Sequence, residues 1–196
     1  MAFTNFDTKE INCKIGYFGP PGAGKTQNLR AIYEASSDEV RAGLIALKDL
    51  VEPTQFFDFL PLSLGQVQGF HIKLHLFSLP LNQVFASLTS VLLKGLDGFV
   101  FVADSRIEKL ATNIDALQKF RKILSDEGYN VADLPRVIQY NKRDMEGVAP
   151  IRVLRQELNP SGAPELEAIA SQAVGTMETL EAMAKQVIHR LTPAAL

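Results

Sequence analysis

Tryptophan is absent from this 196-residue chain, and cysteine occurs once, at Cys13. One cysteine excludes an internal disulfide framework, so the fold must rest on its core. The length allows a sizeable core, and one domain over 1–196 is the simplest organisation. Cys13 lies in an apolar strand pattern, which predicts a buried and inert thiol. No apolar run approaches ~18 residues, so no transmembrane helix is expected. Met1 to Glu10 is polar and lacks the apolar stretch of a signal peptide. The C-terminus carries no lipidation motif, so association with a membrane would need a partner. A cytoplasmic location follows as the expectation. Lys and Arg form no block, and the formal net charge is −2, which gives no electrostatic case for nucleic acid.

Short apolar runs alternate with helical patterns, the signature of a mainly parallel sheet flanked by helices. Strands are expected at Ile11–Phe18, Phe56–Leu62, Phe70–Phe77, Gly98–Ala103 and Arg136–Tyr140, with a short last one near Leu166–Ala170. The segment Ser63 to Gly69 contains two glycines and reads as a hairpin loop, giving one antiparallel edge strand in a sheet of about six. Helices are expected at Lys25–Ala35, Gln83–Lys94, Ile107–Glu127, Ile151–Leu158 and Thr176–Leu191. Leu110, Ile114, Leu117, Arg121 and Leu124 form the stripe of the third. Met177, Leu180, Met183, Ala184, Val187 and Leu191 form that of the last and read as core.

Between the first strand and the first helix runs Gly19-Pro20-Pro21-Gly22-Ala23-Gly24-Lys25-Thr26. It fits G-x-x-x-x-G-K-[ST] in the strand-to-helix context that the motif requires. Glycines let successive amides turn inward onto phosphate oxygens, and the helix N-terminus adds partial positive charge. Lys25 can reach the β- and γ-phosphates, and the Thr26 hydroxyl can ligate Mg²⁺; Gln27 completes the phosphate-side set. A nucleoside triphosphate is the implied ligand.

The base is read from Asn141-Lys142-Arg143-Asp144, behind the apolar strand Arg136–Tyr140. The Asp144 carboxylate can accept from guanine N1–H and N2–H₂, whereas adenine offers no matching donors. Asn141 can bridge base and loop, and the Lys142 stem can cover the base face. Ile169-Ala170-Ser171-Gln172 closes the last expected strand, and a backbone N–H there, at Ala170 or Ser171, could contact the guanine O6. Gly43 to Thr54 has no pattern and is a candidate mobile loop over the phosphates.

A phosphate loop followed by N-K-x-D resembles the Ras-like small GTPases. Thr54-Gln55-Phe56-Phe57-Asp58-Phe59-Leu60-Pro61-Leu62 narrows this, because it is similar to the T-x-F-F-D-F-L-P signature of the bacterial MglA-type GTPases of cell polarity and gliding motility. Glu10-Ile11-Asn12, Gly98 to Ser105, Val137 to Asp144 and Glu178-Thr179-Leu180 extend the resemblance over nearly the whole chain. It implies a Ras-like three-layer sandwich and a GTP/GDP switch. It also implies Mg²⁺ held by Thr26 and Thr54, and a first switch that orders on the γ-phosphate. Implied partners are roadblock-type activators, polar scaffold proteins and tetratricopeptide effectors, which could recruit the chain to a cell pole.

The departures concern hydrolysis. Where Ras-like proteins carry D-x-x-G and then Gln, this chain reads Ser78-Leu79-Pro80-Leu81-Asn82-Gln83. The Asp is also absent from MglA-type proteins, but Leu81 stands in place of the Gly. Either Asn82 or Gln83 would orient the attacking water, and Lys25 would serve the transferring phosphoryl group. Pro53 occupies the place of the family's intrinsic Arg finger and cannot supply its charge. The residues leave three readings: a GTPase with slow or partner-dependent turnover, a non-hydrolysing GTP-bound module that recruits effectors, and an ATP-using phosphotransferase. Against the last, Leu96-Asp97-Gly98-Phe99 continues as Val100-Phe101 and lacks the Pro-Arg of adenylate kinases.

Other residues carry less. His71 and His75 share a strand face but lie roughly 13 Å apart, too far for one metal, and read as solvent-facing. Asp38, Glu39, Asp49 and Glu52 read as solvated, with Asp49 or Glu52 able to reach Mg²⁺ through water. Of Phe56, Phe57 and Phe59, two could pack inward and one could serve an effector surface.

Overall fold

Val100 and Val102 belong to one hydrophobic core, Phe99, Phe101 and Ala103 to a second, and all five are buried. Their strand is therefore covered on both faces, as a near-continuous apolar run requires. The structure, a computed structural model, describes residues 3–37, 45–46, 58–67, 69–78 and 86–191. Its strands are β1 (Phe3–Asn5), β2 (Glu10–Phe18), β3 (Ile45–Ala46), β4 (Asp58–Val67), β5 (Phe70–Ser78), β6 (Gly98–Asp104), β7 (Arg136–Asn141) and β8 (Glu165–Glu167). Its helices are α1 (Lys25–Ala35), α2 (Ala86–Leu93), α3 (Leu110–Asp126), α4 (Ile151–Leu158) and α5 (Thr176–Leu191).

The sheet order is β3-β4-β5-β2-β6-β7-β8. The strands β5, β2, β6, β7 and β8 are parallel, and β4 returns antiparallel to β5. These are the six strands expected from the apolar runs. Two short antiparallel strands add to them: β3 beyond β4, and β1 on Glu10–Asn12 of β2. On that side of β2, β6 begins pairing only at Ile15, so β1 covers an edge that would otherwise be open.

Helices α1 and α5 cover one face, packing Leu29, Ile32, Leu180, Met183 and Val187 on Ile15, Tyr17, Leu74 and Val100. Helices α3 and α4 cover the other, with Leu117, Phe120, Leu154 and Leu158 on Phe18, Phe101 and Ile138. Cys13 lies in the first core, and burial, reinforced by Asp97, pushes its thiol up to about 12. The expected burial is borne out, and a thiol raised this far forms little of the reactive thiolate.

Four expectations need correction. Ser63 to Gly69 is mostly strand, because a bulge between Ser63 and Gln66, with Gly65 at φ 84°, lets the β4–β5 ladder continue to Val67–Phe70. The last strand ends at Glu167, and Ala170–Gln172 is a 3₁₀ turn. In α3 the seam runs through Phe120 rather than Arg121: its ring stacks on Phe18 at 3.9 Å between centroids, while Arg121 is half-buried. His75 is half-buried, not solvent-facing; its Nε2 shares a 2.8 Å hydrogen bond with Asn12 Oδ1, and its ring stacks on half-buried Phe59. The expected helix start at Gln83, the loop Gly43 to Thr54 apart from β3, and Phe56 and Phe57 lie outside the described residues.

Candidate functional site

The loop 19–24 joins β2 to α1 at the carboxyl end of the parallel strands. Two of its glycines are required by close approach. Gly19 has φ 145°, and a Cβ there would lie 2.1 Å from the Val102 carbonyl oxygen of β6. Gly24, the N-cap of α1, has φ 103°, and a Cβ there would lie 2.2 Å from Asn141 Nδ2. The first intrahelical bond of α1 runs from Asn28 N–H to Gly24 C=O. The amides of Lys25, Thr26 and Gln27 therefore belong to the first turn, where helices offer donors to anions.

Lys25 is buried, and its Nζ donates to the carbonyls of Gly19 and Pro20, at 2.9 Å each. These bonds fold the side chain back over the loop. Burial lowers its ammonium to about 8, and the nearby Asp58 carboxylate partly offsets that effect. Thr26 and Gln27 are half-buried in the same turn. Pro21 and Gly22 are exposed on the crest, whereas Pro20 and Ala23 are buried, with Ala23 N–H donating to Pro20 C=O.

The motif at the end of β7 is tied to this loop. Asn141 is buried; its Nδ2 donates to Ala23 C=O at 2.8 Å, and its Oδ1 accepts the Ala170 amide at 2.9 Å. One side chain thus joins the phosphate loop, β7 and the 3₁₀ turn that holds Ala170 and exposed Ser171. Lys142 adopts a left-handed backbone with φ 64°. Its Nζ donates to Asp104 Oδ2 at 2.8 Å, and Arg106 donates to both oxygens of the same carboxylate. Burial pushes the Asp104 carboxyl up, but these donors outweigh it and hold it at about 2. Asp144 is exposed and lines a surface cleft with Arg106, Ile107 and Met145. Its carboxylate is open to a donor edge.

Asp58 is assigned no role by the sequence beyond its place in the Thr54–Leu62 signature. It is the first residue of β4 and sits directly across the ladder from Ser78, the last residue of β5. Both are buried, and Ser78 Oγ donates to Asp58 Oδ2 at 2.8 Å. Ser78 stands at the D-x-x-G aspartate position noted in the sequence, and Asp58 of β4 brings a carboxylate beside it. The hairpin register could have pointed to it, had the bulge been foreseen. A Thr26 hydroxyl and a buried carboxylate beside Lys25 are hard oxygen donors, a chemistry that suits Mg²⁺ when phosphates supply other ligands. Among the described residues no cluster of three or more His, Cys, Asp or Glu could hold an ion by itself. Thr54, Asn82 and Gln83, with Pro53 and Leu81, lie outside the described residues.

No helix among the described residues is long and apolar enough to cross a membrane. No family model matches the chain. It is 44% identical over 191 residues to the mutual gliding-motility protein MglA of Myxococcus xanthus (strain DK1622), an alignment that covers 97% of this chain and 98% of that protein.

Proposed function

We propose that this chain, which belongs to the MglA family of small GTPases, is a guanine-nucleotide-dependent switch that regulates cell polarity and motility through effector binding. The observation that carries the reading is Asn141, whose one amide grips the phosphate loop at Ala23 and the turn at Ala170. Phosphate and base sites are thereby held in one frame, with the exposed Asp144 carboxylate on the same loop as Asn141.

In this reading the loop Gly19 to Thr26, with Gln27, takes the phosphates on the backbone N–H groups of its non-proline residues, and the Lys25 ammonium leaves its two carbonyls for the β- and γ-oxygens. Asp144 accepts from guanine N1–H and N2–H₂. Lys142, held by Asp104, covers the base with its stem; the Ala170 amide, expected to meet O6, is instead taken by Asn141 Oδ1, which leaves the Ser171 amide for O6. Thr26 and Thr54 would hold Mg²⁺, which would offset phosphate charge when bound. The whole chain then acts as one Ras-like domain over 1–196.

GTP hydrolysis is slow or partner-dependent in this proposal. Lys25 stabilises charge on the transferring phosphoryl group, and Gln83, or Asn82, orients the water. Leu81 and Pro53 remove a glycine and a cationic finger from the places where faster turnover would use them. The same two residues favour the second reading, a GTP-bound module that recruits effectors without hydrolysis. Roadblock-type activators, polar scaffolds and tetratricopeptide effectors are the proposed partners, and they would bring a cytoplasmic chain to a cell pole.

The test is to denature freshly purified protein and chromatograph the released nucleotide. Mostly GDP supports a guanine switch with a working cycle. Mostly GTP supports the non-hydrolysing module, and adenine nucleotide overturns both.

A further inference from the structure

Gln139 is a polar residue in the middle of a buried strand. Its neighbours Val137 and Ile138 are apolar, and Gln139 itself is 0% exposed. It lies two residues before Asn141, so both side chains leave β7 on the face that α1 and α5 cover. A buried amide is costly unless its hydrogen-bonding capacity is met.

Here it is met by a closed set. Gln139 Nε2 donates to Asn28 Oδ1 at 2.8 Å and to Thr179 Oγ1 of α5 at 2.9 Å. Asn28 Nδ2 donates to Gln139 Oε1 at 2.8 Å and to Gly24 C=O at 3.0 Å. All four amide hydrogens are used. Asn28 and Thr179 are also 0% exposed, and the Thr179 hydroxyl passes its own hydrogen to Gly175 C=O. Apolar residues would fill this space as well. What they would lack is directional hold on Gly24, the last loop residue before Lys25.

We propose that Asn28, Gln139 and Thr179 are positioning residues that clamp the end of the phosphate loop and set the rate of nucleotide release. The loop is gripped in two tiers from one strand. Asn141 holds the Ala23 carbonyl, and one layer below it Gln139 holds the Gly24 carbonyl through Asn28. The Gly24 carbonyl receives both the backbone and the side-chain N–H of Asn28, at 3.0 Å each, so rotation of that peptide breaks two bonds. Because Thr179 anchors the far end, the clamp ties α5 to the phosphate site. The proposal rests on the guanine-nucleotide reading above.

The experiment loads the full chain with fluorescently labelled GDP and follows its release into excess unlabelled GDP. Gln139→Leu and Asn28→Leu should each speed release about tenfold, the effect of one lost buried hydrogen-bonding partner. Thr179→Val, a milder change that keeps the shape, should speed it about threefold. The exchange pair Asn28→Gln with Gln139→Asn restores two facing amides of the same total length and should return release to near the wild-type rate. Val187→Ala is the control: it opens the same core beside Gly98, at the opposite end of β6, and should lower Tm without changing release. Wild-type release rates in folded Gln139→Leu, Asn28→Leu and Thr179→Val overturn the clamp. So does faster release in Val187→Ala at equal loss of Tm. Wild-type protein that retains no guanine nucleotide overturns the switch reading, and the clamp with it.

Discussion

The hydroxyl of Ser78 donates to the Asp58 carboxylate across the β4–β5 ladder at 2.8 Å, with both residues buried. The pair places negative charge beside Lys25, the buried lysine of the phosphate loop. Asp58→Ala should lower stability by about 1–3 kcal/mol, because it strands the Ser78 hydroxyl in the interior. Asp58→Asn keeps an acceptor for that hydroxyl and should cost less than half as much. Urea unfolding of the two variants checks the order.

Lys25 should make nucleotide binding pH-dependent. Its folded pKa lies at about 8, lowered by burial, whereas a phosphate oxyanion favours the charged ammonium. Below about 8 the lysine is already charged, and binding needs no proton. Above that, binding must take up a proton, so GDP affinity should fall by about tenfold per pH unit. Asp58→Asn removes the charge that props this pKa up, so the decline should begin at lower pH. Isothermal titration from pH 6 to 9.5 would show both, and a flat profile in the wild type would refute the role of Lys25.

Asp144 is open to a base edge and should decide which base is held. Asp144→Asn replaces two acceptor oxygens with one acceptor and one donor group. GDP affinity should drop about 100-fold, the loss of two charge-assisted bonds. Xanthosine diphosphate, which carries a carbonyl where guanine has its amino group, should gain over GDP. Competition against labelled GDP measures both.

Pro53 and Leu81 should limit turnover. Pro53→Arg combined with Leu81→Gly should raise the single-turnover rate of GTP hydrolysis at least ~10-fold, a fraction of the ~10³–10⁵ that an arginine finger supplies where it is fully used. A rate unchanged from the wild type would place the limit in Asn82 and Gln83 instead.

Local pattern was enough for much of this protein. Gly19 to Thr26 announced a phosphate loop because the requirement for backbone freedom and inward amides is written in consecutive residues. The five helices and six of the eight strands followed from apolar runs and periodicity, and Val100 to Ala103 read as a strand covered on both faces because neither face offers a polar residue there. Asn141 and Asp144 were legible for a related reason: their chemistry acts at one strand end, within four residues.

What required the tertiary structure depends on residues far apart in the chain. Arg121 seemed to belong to the α3 seam, but Phe120 fills it, because only the position of Phe18 decides which side chain reaches the sheet. His75 looked exposed on alternation alone, until Asn12 on the neighbouring parallel strand was brought to 2.8 Å. Asp58 became a partner of Ser78 through a ladder whose bulge no local rule located. Gln139 reads as one more residue of a strand, and its hydrogen-bond partners are Asn28, 111 positions away, and Thr179, 40 positions away. The sequence by itself determined which ligand chemistry is present, since a motif carries its donors and acceptors in its own backbone and side chains. Only the tertiary structure decided what holds that motif still, since a hydrogen bond exists only where folding brings both of its partners together.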